Sequence, residues 1–313
     1  MLGLFFWWFD RFERESFFIV VFAFMWGAFG AGLLSYFWNT FFHILLDVYQ
    51  QNSAIANDML ITVMVAPFVE ELTKGFIILI LFKLKKIDNI TDGILLGVLI
   101  GLGFAASENV HYAIEVVYPS SGALAMWYNL WFREIHTTLL HASATAVWGA
   151  MIGYGRFLHR FERYFVFFIG FILACVTHAT WNFLATYVQS IKADFNIIEI
   201  IMRAELALIF LMLMVLFVVS LVRQSNIIIK ELTEETHKNI IPEEHVGFFA
   251  SLVRHKRRYQ LPQAISAGKY AQLGVRLAFR KHAYRYYPQE KVKEEIEQLR
   301  QKISELNIPV QES

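Results

Sequence analysis

Two carboxylates and an ammonium group, Glu70, Glu71 and Lys74, stand in the stretch APFVEELTKG, inside a run otherwise apolar enough for lipid. A charge at membrane depth costs about 2.5–3.5 kcal/mol on insertion, so such groups mark function. Three further apolar runs carry polar groups of the same kind: Glu108, Asn109 and Tyr112 in SENVHY, His136 and His141 in REIHTTLLHASATAVWGAMIGYG, and His178 and Asn182 in THATWNF. Carboxylates beside imidazoles in a dry pocket suit general-base activation of water. One glutamate takes the proton, the histidines hold the water or the developing oxyanion, and an Asn amide donates to that oxyanion. Lys74 lies one helical turn after Glu70, the favourable order for an ion pair, while Glu71 points about 100° away. No serine or cysteine pairs convincingly with the histidines; Ser107 and Ser143 are the weak candidates for a nucleophile. Two histidines with carboxylates also make a common zinc set, here Glu71, Glu108, His141 and His178, although the HExxH spacing is absent.

Such residues need helices that cross a bilayer. The chain has 313 residues, 57% of them hydrophobic and 18% charged, which points to an integral membrane protein. Six runs are long enough to span, at 17–46, 59–82, 93–114, 129–157, 164–188 and 204–222. They are continuous and lack the alternation of barrel strands. The expected fold is therefore all-α and polytopic, with about six transmembrane helices. Gly93, Gly97 and Gly101, four residues apart, and Gly149 and Gly153 predict close helix packing. The single cysteine, Cys175, excludes a disulfide within the chain and a cysteine-based zinc site.

Lysine and arginine cluster in alternate connections: Arg11 and Arg14, then Lys83, Lys85 and Lys86, then Arg156, Arg160 and Arg163, then Arg223 and Lys230. The intervening connections are poorer, with Lys192 and Arg203 in the last of them. This pattern places both termini in the cytoplasm, with Trp127, Tyr128 and Trp131 at the outer interface. From the outer ends of their runs, Glu70 lies 11 residues in, His141 12, His178 10 and Glu108 6. At about 1.5 Å per residue the first three sit about 15–18 Å deep and Glu108 about 9 Å. That agreement predicts one shared site.

The expected division is an interfacial lead at 1–16, a membrane domain at 17–222 and a cytoplasmic, mostly helical tail at 223–313. The opening residues lack the order of a cleavable signal peptide. Within the tail, 251–287 carries nine Lys and Arg and no Asp or Glu, which makes contact with anionic lipid one expectation and a solvated amphipathic unit the other. Val292, Ile296, Leu299, Ile303 and Leu306 fall at helical spacing.

The motifs EELTKG, SENVHY, HASATAVWGAMIGYG and HATWN, in this order on four consecutive spans, resemble those of the PrsW-type glutamic intramembrane proteases, a group related to the CAAX prenyl proteases and bacteriocin-processing proteins. The resemblance covers roughly residues 60–190. It implies peptide-bond hydrolysis by glutamate-activated water, with Glu70, Glu71, His141, His178 and Asn182 in catalysis and Lys74, Glu108 and Tyr112 in support. It further implies Glu70 as the base, a bacterial cytoplasmic membrane, and a membrane-anchored protein substrate such as an anti-sigma regulator. No cofactor is expected, with a divalent metal such as zinc left open, and no nucleic-acid partner is expected. The residues alone also permit a proton-coupled transporter using Glu and His as a relay, a metal-dependent membrane protease, or a non-catalytic scaffold.

Overall fold

The structure, a computed structural model, describes residues 2–10, 12, 15–49, 54–191, 197–251, 267–286 and 288–307. Every element among them is helical. The expected basic residues Arg11, Arg14, Lys192, Arg254, Lys256, Arg257 and Arg258 lie outside the described residues.

The helices are α1 (Leu2–Phe9), α2 (Phe17–Met25), α3 (Gly32–Tyr49), α4 (Ala54–Leu60), α5 (Ala66–Lys83), α6 (Ile90–Tyr112), α7 (Tyr118–Tyr154), α8 (Arg160–Ile191), α9 (Ile197–Thr236), α10 (Glu243–Phe249), α11 (Ala267–Tyr286) and α12 (Glu290–Asn307). Short π-helical segments, Trp26–Ala31, Ile61–Val65 and Ala113–Val117, join α2 to α3, α4 to α5 and α6 to α7. The chain divides into two compact units, one of residues 1–7 and 15–217, the other of 8–14 and 218–313.

In the first unit, α6 and α7 form its central pair. Gly122, at φ +76°, breaks the helical path near the start of α7. Beyond it the two helices run antiparallel, because Gly93 lies against Gly149, Gly97 against Ala146 and Gly101 against His141. A Cβ on Gly93 would stand 2.0 Å from the Gly149 carbonyl oxygen, and one on Gly101 2.3 Å from that of His141. The glycine stripe thus sets how near α7 comes to α6, as its spacing predicts. Asn89 starts α6, its side chain accepting from the Asp92 amide. Helix α5 lies against α7, where Gly75 faces the Trp148 ring, and the Trp148 indole donates to the Phe167 carbonyl of α8 at 2.9 Å.

Four helical stretches among the described residues are long and apolar enough to cross a membrane: Phe17–Val48, Ile90–Tyr154, Arg160–Val188 and Ile200–Thr236. The six expected spans differ from this for two physical reasons. The stretch Ile90–Tyr154 contains two antiparallel helices, and the helix expected at 59–82 carries the charges of Glu70, Glu71 and Lys74, all buried against neighbouring helices.

In the second unit, α12 buries Ile296, Leu299 and Ile303, three of its five predicted stripe residues. The basic residues of α11 are mostly engaged in ion pairs. Arg276 and Arg280 bind Glu295, Lys281 binds Glu235 at 2.7 Å, and Arg285 binds Glu231 at 2.8 Å. Arg300 of α12 grips Glu235 with two bonds of 2.7 Å. The segment's lack of acids is thus made good by glutamates from α9 and α12, so these positive charges serve the unit's own packing.

Gly101→Val is expected to destabilise the protein by about 2–3 kcal/mol through overpacking, read as a lower thermal midpoint in detergent. Gly268→Ala, whose Cβ meets open space, should leave the midpoint unchanged or slightly higher.

Candidate active site

Helix α5 supplies three charged side chains within five residues. Lys74 is fully buried and donates to Glu71 Oε1 at 2.8 Å, with Glu70 Oε2 3.7 Å away. The closer pair is therefore i, i+3, and Lys74 sits between the two acids rather than on Glu70 alone. Its Nζ also stands 3.8 Å over the Phe104 ring. Three bonds tie α5 to the π-helical segment Trp26–Ala31 and to α3: the Trp26 indole donates to the Thr73 carbonyl, the Ser35 and Thr73 hydroxyls meet at 2.7 Å, and Asn39 donates to Glu70 Oε1 at 3.4 Å.

The two site histidines arrive from α7 and α8. His141 Nδ1 lies 3.0 Å from Lys74 Nζ. An ammonium can only donate, so Nδ1 accepts and the ring proton sits on Nε2. That proton goes to Glu108 Oε2 of α6 at 2.7 Å. His178 Nδ1 lies 3.1 Å from Glu71 Oε1, a carboxylate that can only accept, so Nδ1 donates, and in the neutral ring Nε2 carries the lone pair. Nε2 faces Glu70 Oε2 at 3.7 Å. The two rings meet edge to face, 4.8 Å between centroids. Glu71 is completed by Thr145, whose hydroxyl donates to Oε2 at 2.9 Å.

One atom is conspicuously unmatched. Glu70 Oε2 is buried and has no hydrogen-bond partner, an arrangement that normally costs about 1–3 kcal/mol and calls for a reason. A divalent metal would supply one. Glu70, His141 and His178 each offer a ligand atom, all within 4.8 Å of one another, and two imidazoles with a carboxylate suit zinc; His141 would join such a set by exchanging its Nδ1 contact with the Lys74 ammonium for the metal. This set differs from the expected one in its carboxylate. Glu71 and Glu108 instead engage the nitrogens of His178 and His141, as carboxylates orient metal-binding histidines from behind.

Of the other expected residues, Tyr112 stacks on the Arg133 guanidinium at 4.4 Å, and Arg133 in turn binds Glu108 Oε2 at 3.0 Å. Asn182 is not drawn into the cluster: its amide donates to the Thr62 carbonyl at 2.9 Å. His136 also stands apart, bonded to the Phe132 carbonyl and stacked between Phe132 and Trp181. Ser107 donates to the Phe104 carbonyl and Ser143 makes no side-chain hydrogen bond, so neither is paired with a histidine. Sequence reasoning missed Asn39, Arg133 and Thr145. Thr145 had a signal, being one turn after His141; Arg133 was a charge within an expected span; Asn39 had none.

Apolar membrane-length helices around a buried Glu/His centre suit a membrane-embedded hydrolase or an ion carrier. Residues 15–222 match the sequence profile of the PrsW family intramembrane metalloproteases. The chain belongs to that family, and is thereby a membrane peptide hydrolase. Neither the curated proteins nor the solved structures compared with it include a match.

Lys74→Met would leave the Glu71 charge buried without its closest partner, a loss of about 3–5 kcal/mol. Adding Glu71→Gln should recover at least about 1 kcal/mol of that, read in thermal unfolding of both variants. No recovery would mean that Lys74 does not serve to neutralise Glu71.

Proposed function

We propose that the chain is an intramembrane endopeptidase in which Glu70 activates the attacking water. The observation that carries this reading is the buried, unpartnered Glu70 Oε2 lying 3.7 Å from the His178 Nε2 lone pair. A water between them would give one hydrogen to each acceptor, and its lone pair would then point at the scissile carbonyl. Glu70 takes the proton and returns it to the leaving amine. Glu71 fixes His178 through Nδ1, and Glu108 fixes His141 through Nε2, so both rings are pre-set. Lys74 is the buried cation nearest Glu70 and favours negative charge developing beside it. Asn182, one turn from His178, would join the oxyanion contacts by exchanging the Thr62 carbonyl for the substrate oxygen.

A second reading is favoured by the grouping of Glu70, His141 and His178 and by the family's description as metalloproteases. Bound by those three residues, a divalent metal such as zinc would supply Lewis-acid polarisation of water and carbonyl.

Six membrane crossings with both termini cytoplasmic complete the proposal, supported by the α6–α7 reversal at Gly122 and by the distribution of Lys and Arg. The protease domain is taken as 17–222 and the tail as 223–313. The substrate is a membrane-anchored protein of the bacterial cytoplasmic membrane, in the manner of an anti-sigma regulator. Contact with anionic lipid falls to the basic residues of 251–287 that are not paired within the tail.

Glu70→Gln should lower cleavage of a membrane-anchored reporter at least about 100-fold while leaving thermal stability and membrane insertion intact. Cleavage at the parental rate would overturn the role of Glu70. One divalent ion per chain in the purified protein, lost in His178→Ala, with turnover stopped by a chelator and restored by zinc, would establish the second reading over the first.

A further inference from the structure

Within the apolar stretch Phe17–Val48, Ser35, Asn39, His43 and Asp47 recur every four residues of α3 and so form one polar stripe. Phe37, Phe41 and Ile44, on other faces of the same helix, are exposed. The stripe's partners come from α4 and α5. At one end the Ser35 and Thr73 hydroxyls meet at 2.7 Å, and one turn on Asn39 donates to Glu70 Oε1. A further turn on, His43 lies between Asp47 Oδ2 at 3.0 Å and Asp58 Oδ1 at 2.9 Å, and Asn57 donates to Asp47 Oδ1 at 3.1 Å. His43, Asp47 and Asp58 are exposed, whereas Ser35, Thr73 and Glu70 are buried. The stripe therefore runs from charged groups at the boundary of a membrane span to the reacting carboxylate. Asn39 lies about 14 Å inside the Val48 end of that span, at about 1.5 Å per residue.

Hydrogen bonds that only joined the helices would match the polar atoms of each pair. Three atoms here are not matched. Asn39 Oδ1, Asn57 Oδ1 and Glu70 Oε2 are buried and have no hydrogen-bond partner among the described residues. Each such acceptor costs about 1–3 kcal/mol unless something donates to it. Ordered water does this for buried polar groups, with about three hydrogen bonds apiece. The unmatched oxygens stop where the stripe does: the Ser35 hydroxyl engages Thr73, and the Thr73 hydroxyl also donates to the Glu70 carbonyl at 3.0 Å. On the α7 side, Glu71 is fully engaged by Lys74, His178 and Thr145. Hydrolysis consumes one water for every bond cut, and a site walled by apolar helices needs a way to receive it.

We propose that the polar stripe of α3, packed against α4 and α5, is the route by which water enters at His43 and reaches Glu70, and that the route is closed beyond Glu70 by the Ser35–Thr73 pair. Its role as a supply of reactant rests on the peptidase reading above.

The test uses full-length protein in phosphatidylcholine nanodiscs, with Cys175→Ala as the parent and one new cysteine in each variant: His43→Cys, Asn39→Cys, Ser35→Cys and the lipid-facing Phe37→Cys and Phe41→Cys. Short X-ray pulses turn water into hydroxyl radicals where it stands, and mass spectrometry then measures how fast each cysteine is oxidised. His43→Cys and Asn39→Cys should be oxidised at least about tenfold faster than Phe37→Cys and Phe41→Cys, with Ser35→Cys at the rate of these controls. Asn57→Leu, which touches neither Glu70 nor a site histidine, should slow oxidation of Asn39→Cys. It should also lower turnover of a membrane-anchored reporter at saturating concentration while leaving reporter binding unchanged. That second readout needs no cysteine at 39, and so decides the matter should Asn39→Cys fold poorly. Oxidation of a folded Asn39→Cys no faster than of Phe37→Cys, or parental turnover in Asn57→Leu, would overturn the route. Ser35→Cys oxidised as fast as Asn39→Cys would overturn its closed end and make the stripe a through-path, as a carrier needs. Rapid oxidation at Asn39→Cys in a parent that cleaves no reporter would overturn the peptidase reading and leave the hydrated stripe standing.

Discussion

A buried ammonium group holds this site together. Lys74 Nζ touches Glu71 and His141 directly and lies within ion-pair reach of Glu70, so one cation connects α5 to α7 and neutralises an acid on its own helix. Without it, two adjacent carboxylates on one helix would repel each other in a medium too poor to screen them. With it, the two acids become unequal. Glu71 receives Lys74, His178 and Thr145, and is fully engaged. Glu70 receives only a long bond from Asn39, and its second oxygen is free for a substrate, a water or a metal. The difference between the neighbouring acids thus follows from helix phase: a rotation of about 100° turns Glu71 toward the packed interface with α7 and Glu70 toward Asn39 of α3 and His178 of α8.

The tautomers of the two histidines are set by the same contact. Lys74 can only donate and Glu71 can only accept, so the His141 proton is driven to Nε2 and the His178 proton to Nδ1. His141 is therefore turned to Glu108, and through it to Arg133, whereas His178 presents a lone pair to Glu70. Arg133 is thereby linked to Glu70 through Glu108, His141 and Lys74.

The scaffold exists to bring these atoms within reach of one another. Bulkier residues at Gly93, Gly97 or Gly101 would push α7 away from α6 and carry His141 away from Glu108. Helix α5 gains its own close approach through Gly75 against Trp148. The cost of burying Lys74, Glu70 and Glu71 is offset only where neighbours from three other helices arrive at the right depth.

The amino-acid sequence by itself determined the helical class, the membrane character, the glycine stripe and the grouping of Glu70, Glu71, Lys74, Glu108, His141 and His178. These follow from composition, from helical period and from the expense of charge in lipid, all of which act along the chain. Partners distant in sequence add what spacing does not show. The acid-free segment 251–287 read either as a solvated amphipathic unit or as a lipid-facing basic surface, and its described arginines and Lys281 largely meet glutamates of α9 and α12. Asn182, expected as a site amide, bonds the Thr62 carbonyl. Only the tertiary structure decided that Lys74 serves Glu71 more closely than Glu70, which nitrogen of each histidine carries the proton, and that Arg133, Thr145 and Asn39 belong to the cluster. Spacing along a helix fixes the direction in which a side chain leaves it; which neighbour receives that side chain depends on how closely and at what rotation the next helix packs.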